Sequence, residues 1–366
     1  MSSFINFLYN QAAQLSNLYR NETEQNSATS AMAERIHATR NSHPKPISAK
    51  VAKPKKSPNI AVLSNGGGYT VPRAIQSIES QTKKKVQLIN YECPMEISSR
   101  QLNNEVKNVF NYIEKNKLCS PGVSRAEMFI NAVKSKAVNT PLCFEIIQKT
   151  SRAAEKLNCI FLPGGENIPT IWYGMPGCEY DNHYRTLVEL TLIHEARHKG
   201  IPLMGVCRGH QIIHVYHGKK LEDNPSGYYG FQTFNLINPD QKGLLADLFR
   251  ETVVGRVMHH QGIKIAEGQN GKGDLEPLTT ENELVKAAES KYGSASPVIT
   301  TQFHPEMYVP YDSSISKNNE TFFKILHESS ITHNAKKDIT PDKLVAARKQ
   351  LKAPSEELKL FMQAGG

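Results

Sequence analysis

No apolar stretch of eighteen residues occurs in the chain, so it offers no membrane-spanning helix. Near the N-terminus Phe4, Ile5, Phe7 and Leu8 are interrupted by Asn6, Asn10 and Gln11, which is not the apolar core of a secretory signal. Cysteine is sparse: six thiols in 366 residues, at 93, 119, 143, 159, 178 and 207, with no C-x-x-C pair. That spacing suggests neither a zinc site nor a disulfide framework and fits a reducing compartment. A cytoplasmic location is therefore expected, although export by a route that reads a C-terminal tail would leave no recognisable mark. A phosphate-binding G-x-x-x-x-G-K-[ST] and a complete G-x-G-x-x-G are missing, so Asn65-Gly66-Gly67-Gly68 reads as the glycine-rich end of a strand. Internal repeats are absent as well.

Acid is the scarcer charge, 35 Asp and Glu against 44 Lys and Arg, for a net +9. The excess belongs to the ends. Residues 1–58 carry eight basic residues against three acids, and residues 331–366 carry seven against four, while the middle is nearly neutral. These ends read as solvated flanks, with docking of a protein partner as their other use; nucleic acid is not expected.

Phe4, Leu8, Ala12, Leu15 and Tyr19 share one helical face, and a Ser-, Asn-, Pro- and Lys-rich linker follows to Pro58. Short apolar runs at 60–63, 86–89, 159–162, 202–206 and 298–303 read as buried strands. Helical patterns lie between them, near Val71–Gln81, through 96–157, near Asp181–Lys199 and over Gln211–His217. Alternating strands and helices imply βαβ units and a mostly parallel sheet. Gln232–Ile237, Val253–Met258 and Leu284–Glu289, with no helix between them, suggest a smaller antiparallel part; Asn318–His327 reads as the closing helix. A further helix start stands at Thr340-Pro341-Asp342.

Chemistry concentrates around Cys207. Pro202–Val206 is a strand, Gln211–His217 a helix, and Gly205 and Gly209 flank the cysteine between them. The spacing is that of a nucleophile elbow, G-x-S-x-G with Cys for Ser, and the helix N-terminus favours a thiolate. A hundred residues on, His304 and Glu306 are two apart, which on an extended segment points both the same way. A carboxylate beside an imidazole fixes its tautomer and stabilises its protonated form. Thiol, imidazole and carboxylate are the parts of a nucleophile–base–orienter set. The Arg208 N–H by elbow geometry, and N–H groups of Pro163-Gly164-Gly165, could hold an oxyanion.

Gly205-Val206-Cys207-Arg208-Gly209-His210-Gln211, Pro163-Gly164-Gly165 and Gln302-Phe303-His304-Pro305-Glu306 resemble the class I glutamine amidotransferase-like superfamily. Arg208–Gln211, His259-His260-Gln261, Asn167-Ile168, Tyr173-Gly174, Asp181 and Arg185 look most like its gamma-glutamyl hydrolase branch, and within it hydrolases of gamma-glutamyl-GABA type. The resemblance covers about residues 59–330. It implies a flavodoxin-like three-layer α/β sandwich with a mostly parallel central sheet, here with a helical insertion at about 92–157 and extensions at 1–58 and 331–366. It implies Cys207 as nucleophile, His304 as base then acid, Glu306 as orienter, and Gly165 and Arg208 as oxyanion donors. Gln211 and His259 would hold the glutamyl group, with His260 and Gln261 lining the cleft. The reaction implied is cleavage of a gamma-glutamyl amide or peptide through a thioester, without metal or cofactor. Glu166, Val257-Met258 and the insertion depart from the pattern and bear on the substrate. Two other uses stay open: a glutaminase subunit delivering ammonia to a separate synthetase, and a non-catalytic interaction protein on this fold.

Overall fold

A computed structural model describes residues 58–64, 70–91, 93–118, 123–175, 182–238, 240–241, 243, 245–246, 248–250, 253–264, 275–281, 283–290, 297–307 and 313–337. The expected N-terminal helix and linker, the Asn65–Gly68 loop, Asp181 and the helix start at Thr340 lie outside the described residues.

Along the chain the elements are β1 (Ile60–Leu63), α1 (Thr70–Thr82), β2 (Gln87–Ile89), α2 (Ser99–Lys115), α3 (Arg125–Lys134), α4 (Pro141–Ala154) and β3 (Cys159–Leu162). Then come α5 (His183–Lys199), β4 (Leu203–Val206), α6 (Arg208–Tyr216), β5 (Leu221–Phe234), β6 (Val253–Ile263), β7 (Leu275–Glu281), β8 (Leu284–Ser290), β9 (Val298–Thr301) and α7 (Ser313–Lys337). The main sheet has the order β2-β1-β3-β4-β9-β8-β7. Its first five strands are parallel, and β8 and β7 add antiparallel at one edge. Strands β5 and β6 form a separate antiparallel ribbon.

Apolar runs such as Ile60-Ala61-Val62-Leu63 and Cys159-Ile160-Phe161-Leu162 are buried throughout, as a sheet covered on both faces requires. Alternate residues feed two cores. Ala61, Leu63, Ile160, Leu162 and Leu203 meet α2 through α6 on one face. Ile60, Val62, Phe161, Met204 and Val206 meet Val71, Ala74 and Ile78 of α1 and Phe322, Phe323 and Leu326 of α7 on the other. The result is the expected three-layer sandwich.

Local signals set several helix ends. Ser98 caps α2 and Ser124 caps α3 through side-chain oxygens accepting from Gln101 and Glu127 N–H. Gly200, left-handed at φ 67°, ends α5. The stretch expected to be an insertion holds the three helices α2–α4, and it is anchored rather than loose. Phe110 and Phe129 pack on Trp172, the chain's single tryptophan, at 5.3 and 4.6 Å between ring centroids. Arg125 Nε donates to the Ile171 carbonyl at 2.9 Å. These contacts fix the segment that follows Pro163-Gly164-Gly165.

Three elements differ from the sequence expectation. Strand β5 begins eleven residues earlier than Gln232, because Pro225, Gly227 and a register shift between Asp223 and Tyr228 break its alternation. Strand β7 was not expected; its Pro277 is tolerated because the strand lies at the sheet edge. Helix α7 runs past Asn318–His327 at both ends, so residues 331–337 continue it rather than open the tail.

Candidate active site

Cys207 sits between β4 and α6 with φ 51° and ψ −105°, a backbone conformation costly for any residue with a β-carbon. The two glycines make the turn possible. A β-carbon at Gly205 would come within 2.5 Å of the Gly209 carbonyl oxygen, and one at Gly209 within 2.1 Å of the Leu162 carbonyl oxygen. Strand β3, strand β4 and helix α6 can therefore close together only with glycine at both positions. The sulfur lies 3.8 Å from the Met258 carbonyl oxygen on β6, which places the β5–β6 ribbon over the thiol.

Parallel neighbour β9 delivers the imidazole. The His304 N–H donates to the Arg256 carbonyl, and Nδ1 lies 2.8 Å from Glu306 Oε1. The spacing works differently from the extended segment expected: β9 ends at Thr301, and Met307 N–H closes a turn onto the His304 carbonyl at 3.1 Å. Pro305 favours that turn, and the turn brings carboxylate and imidazole together. Both side chains are nearly wholly buried. Burial opposes a charge on His304, but the Glu306 carboxylate and the Cys207 sulfur outweigh it and hold the imidazole well above its ordinary range.

The loop Pro163–Asn167 faces this pair. A β-carbon at Gly164 would meet His304 Cε1 at 2.8 Å and Cys207 Cβ at 3.3 Å, so imidazole and thiol both press on that glycine. Gly164→Ala is expected to lower kcat/KM by about 100-fold through displacement of His304, with a melting temperature close to wild type; steady-state kinetics and a thermal melt check it.

Behind the loop stands a group the sequence reading missed. Glu189 is fully buried on α5, 2.8 Å from Arg185 Nε through one oxygen and 3.0 Å from Arg208 Nε through the other. Arg185 Nη2 donates to the Pro163 and Gly164 carbonyls at 3.3 and 2.9 Å. Arg208 Nη1 donates to the Glu166 and Asn167 carbonyls, and Nη2 to Thr186 Oγ1. Burial lowers Arg208 to about 10, with Glu189 opposing, so it stays charged at neutral pH. Two guanidiniums thus draw the loop's carbonyls to one side. The Arg-x-x-x-Glu spacing, one helical turn, is readable in the sequence, but only the structure shows that this helix is almost wholly buried and the pair therefore turned inward.

Of the candidate ligand-contact residues, Gln211, His259 and Gln261 are brought together. Gln211 Nε2 donates to the Gln261 carbonyl at 2.7 Å, and His259 Nδ1 lies 2.9 Å from the same oxygen. His260 is a correction. Strand alternation turns it to the exposed outer face of the ribbon, where Nε2 lies 3.1 Å from the Tyr229 hydroxyl. Tyr173, in contrast, reaches the site, its hydroxyl 3.4 Å from Gln261 Nε2.

A second cluster, Glu127, His194 and His198, brings possible metal-ligand atoms within 4.8 Å of one another. Arg197 Nη1 lies 3.3 Å from Glu127, an ion-paired contact between α3 and α5. Among the described residues no helix is long and apolar enough to cross a membrane.

A strand–elbow–helix cysteine on a parallel sheet, facing a histidine–carboxylate pair, defines a class of cysteine-dependent hydrolase fold. The peptidase C26 model matches residues 111–306, and the chain belongs to that family. A Rickettsia bellii protein named as a candidate ankyrin repeat protein is 25% identical over 58% of this chain and 37% of its own length. A Schizosaccharomyces pombe protein named as a candidate glutamine amidotransferase is 27% identical over 48% of this chain and 78% of its own. Among solved structures, the glutaminase domain of Trypanosoma brucei CTPS has a TM-score of 0.43 at 14% identity, covering 78% of this chain and 96% of that one. The chain thus spans little more than a third of the first relative's length.

Proposed function

We propose that the protein hydrolyses gamma-glutamyl amides with Cys207 as nucleophile. The observation that carries this reading is the strained elbow cysteine set, with His304, against Gly164, while Glu306 holds the far side of the imidazole. The thiolate attacks the γ-carbonyl carbon, and negative charge builds on its oxygen. Backbone N–H groups of Arg208 and Gly165 receive that charge, with the loop held by Arg185 and Arg208. Protonated His304 gives its proton to the departing amine as the carbon–nitrogen bond breaks, leaving a γ-glutamyl thioester and a neutral imidazole. His304 then takes a proton from water, whose oxygen attacks the thioester carbon, and the thiolate leaves with glutamate released. Gln211, His259 and Gln261 orient the acyl group.

A second reading, glutamine hydrolysis serving a separate synthetase, draws on the amidotransferase name of the yeast relative. Both are tested by supplying purified protein with γ-glutamyl amides, γ-glutamyl peptides and glutamine and measuring amine or ammonia release. Faster release from the γ-glutamyl amides and peptides supports hydrolysis as the function. Release confined to glutamine favours the second reading, and release from none of the three contradicts both.

A further inference from the structure

Helix α3 opens with Ser124 accepting from the Glu127 N–H, so Glu127 stands in a capped first turn. That turn meets the C-terminal part of α5, which carries His194 and His198. Residues four apart share one helical face, and the two imidazole centroids are 4.3 Å apart. His194 is buried, and its Nδ1 lies 3.0 Å from the hydroxyl of Tyr216 at the end of α6, a contact that fixes the ring. The chemistry at Cys207 uses none of these residues.

One ligand atom from each of Glu127, His194 and His198 lies within 4.8 Å of the other two. Around a tetrahedral zinc ion, with bonds of about 2.0–2.2 Å, ligand atoms stand about 3.4 Å apart, so the three need to close by at most about 1.4 Å. Half-buried Glu127 and exposed His198 have room to turn that far on either side of the fixed His194 ring. The surrounding charges also allow a cation. His198 is in the last turn of α5, where the helix dipole favours positive charge. Lys134 and Lys199 are both drawn to Glu195, at 2.8 Å each. Arg197, 3.3 Å from Glu127, is the cation that an incoming ion would replace on that carboxylate. Two imidazoles and one carboxylate suit zinc and its transition-metal neighbours, whereas magnesium and calcium call for oxygen ligands.

We propose that Glu127, His194 and His198 bind one divalent transition-metal ion of the zinc type, with water completing its coordination. The ion ties α3 to α5, the helix that also carries Arg185 and Glu189, and so clamps the added helices onto the element that supports the Pro163–Asn167 loop. The site is structural and separate from Cys207, so it stands or falls independently of the γ-glutamyl reading.

The test titrates zinc into untagged, chelator-stripped full-length Cys207→Ala protein by calorimetry, because the Cys207 thiol would itself take the metal. One equivalent is expected to bind and to raise the melting temperature by at least about 3 °C at saturation. Adding His198→Ala or Glu127→Gln, both at positions open to solvent, should weaken binding by about 100-fold or more and remove the thermal shift, while the metal-free melts stay near that of the parent. Magnesium at the same concentration should give neither heat nor shift. The proposal is overturned if no equivalent of zinc binds, if magnesium binds as well as zinc, or if zinc binds with unchanged affinity in both variants, which would mean an adventitious ion only.

Discussion

Cys207→Ala is expected to abolish amine release from a γ-glutamyl amide, by on the order of 10⁴-fold or more, because no other group can form the acyl bond. Cys207→Gly should be equally inactive, yet more stable than Cys207→Ala. At φ 51° and ψ −105° alanine keeps the β-carbon that strains the elbow, whereas glycine removes it. The difference should be about 1–2 kcal/mol in favour of glycine, the usual scale for such a conformation, after allowance for glycine's looser unfolded chain. Denaturant melts of the two variants measure it. Equal stability would mean that the elbow is not strained, and with it would go the argument that the fold holds this cysteine for chemistry.

Glu189→Ala is expected to cost more than any surface change in the molecule. It leaves two guanidiniums, Arg185 and Arg208, buried without their shared carboxylate. Removing one partner of a buried ion pair costs about 3–5 kcal/mol, and here both arginines also hold the Pro163–Asn167 carbonyls. Activity should fall with stability, since the loop that would supply the Gly165 N–H loses its support. Glu189→Gln keeps the shape and one acceptor oxygen, and should fold better than Glu189→Ala while still losing kcat more than KM. A Glu189→Ala protein with wild-type melting and wild-type kinetics would show that the network neither stabilises the fold nor positions the loop.

The legible part of the site is the part built from short motifs. Gly205-x-Cys207-x-Gly209 states its own geometry, since each glycine answers a close backbone approach. His304 and Glu306 could be paired from their spacing, although a turn rather than a strand joins them. What depends on tertiary placement was not legible. His260 follows His259 in sequence and faces away from it on β6. The parallel strands could be read from uniform apolar runs, whereas β5 and β7 were obscured by Pro225, Gly227 and Pro277, which a ribbon with a shifted register and an edge strand tolerate.

The measurement that bears most directly on the central claim is intact-mass spectrometry after exposure to a glutamine-like electrophile, followed by peptide mapping. The account predicts one adduct on Cys207, absent from Cys207→Ala and formed much more slowly in His304→Ala, with Cys93 and the buried Cys143 and Cys159 unlabelled. A folded protein that takes no adduct, or takes it equally well without His304, would contradict it.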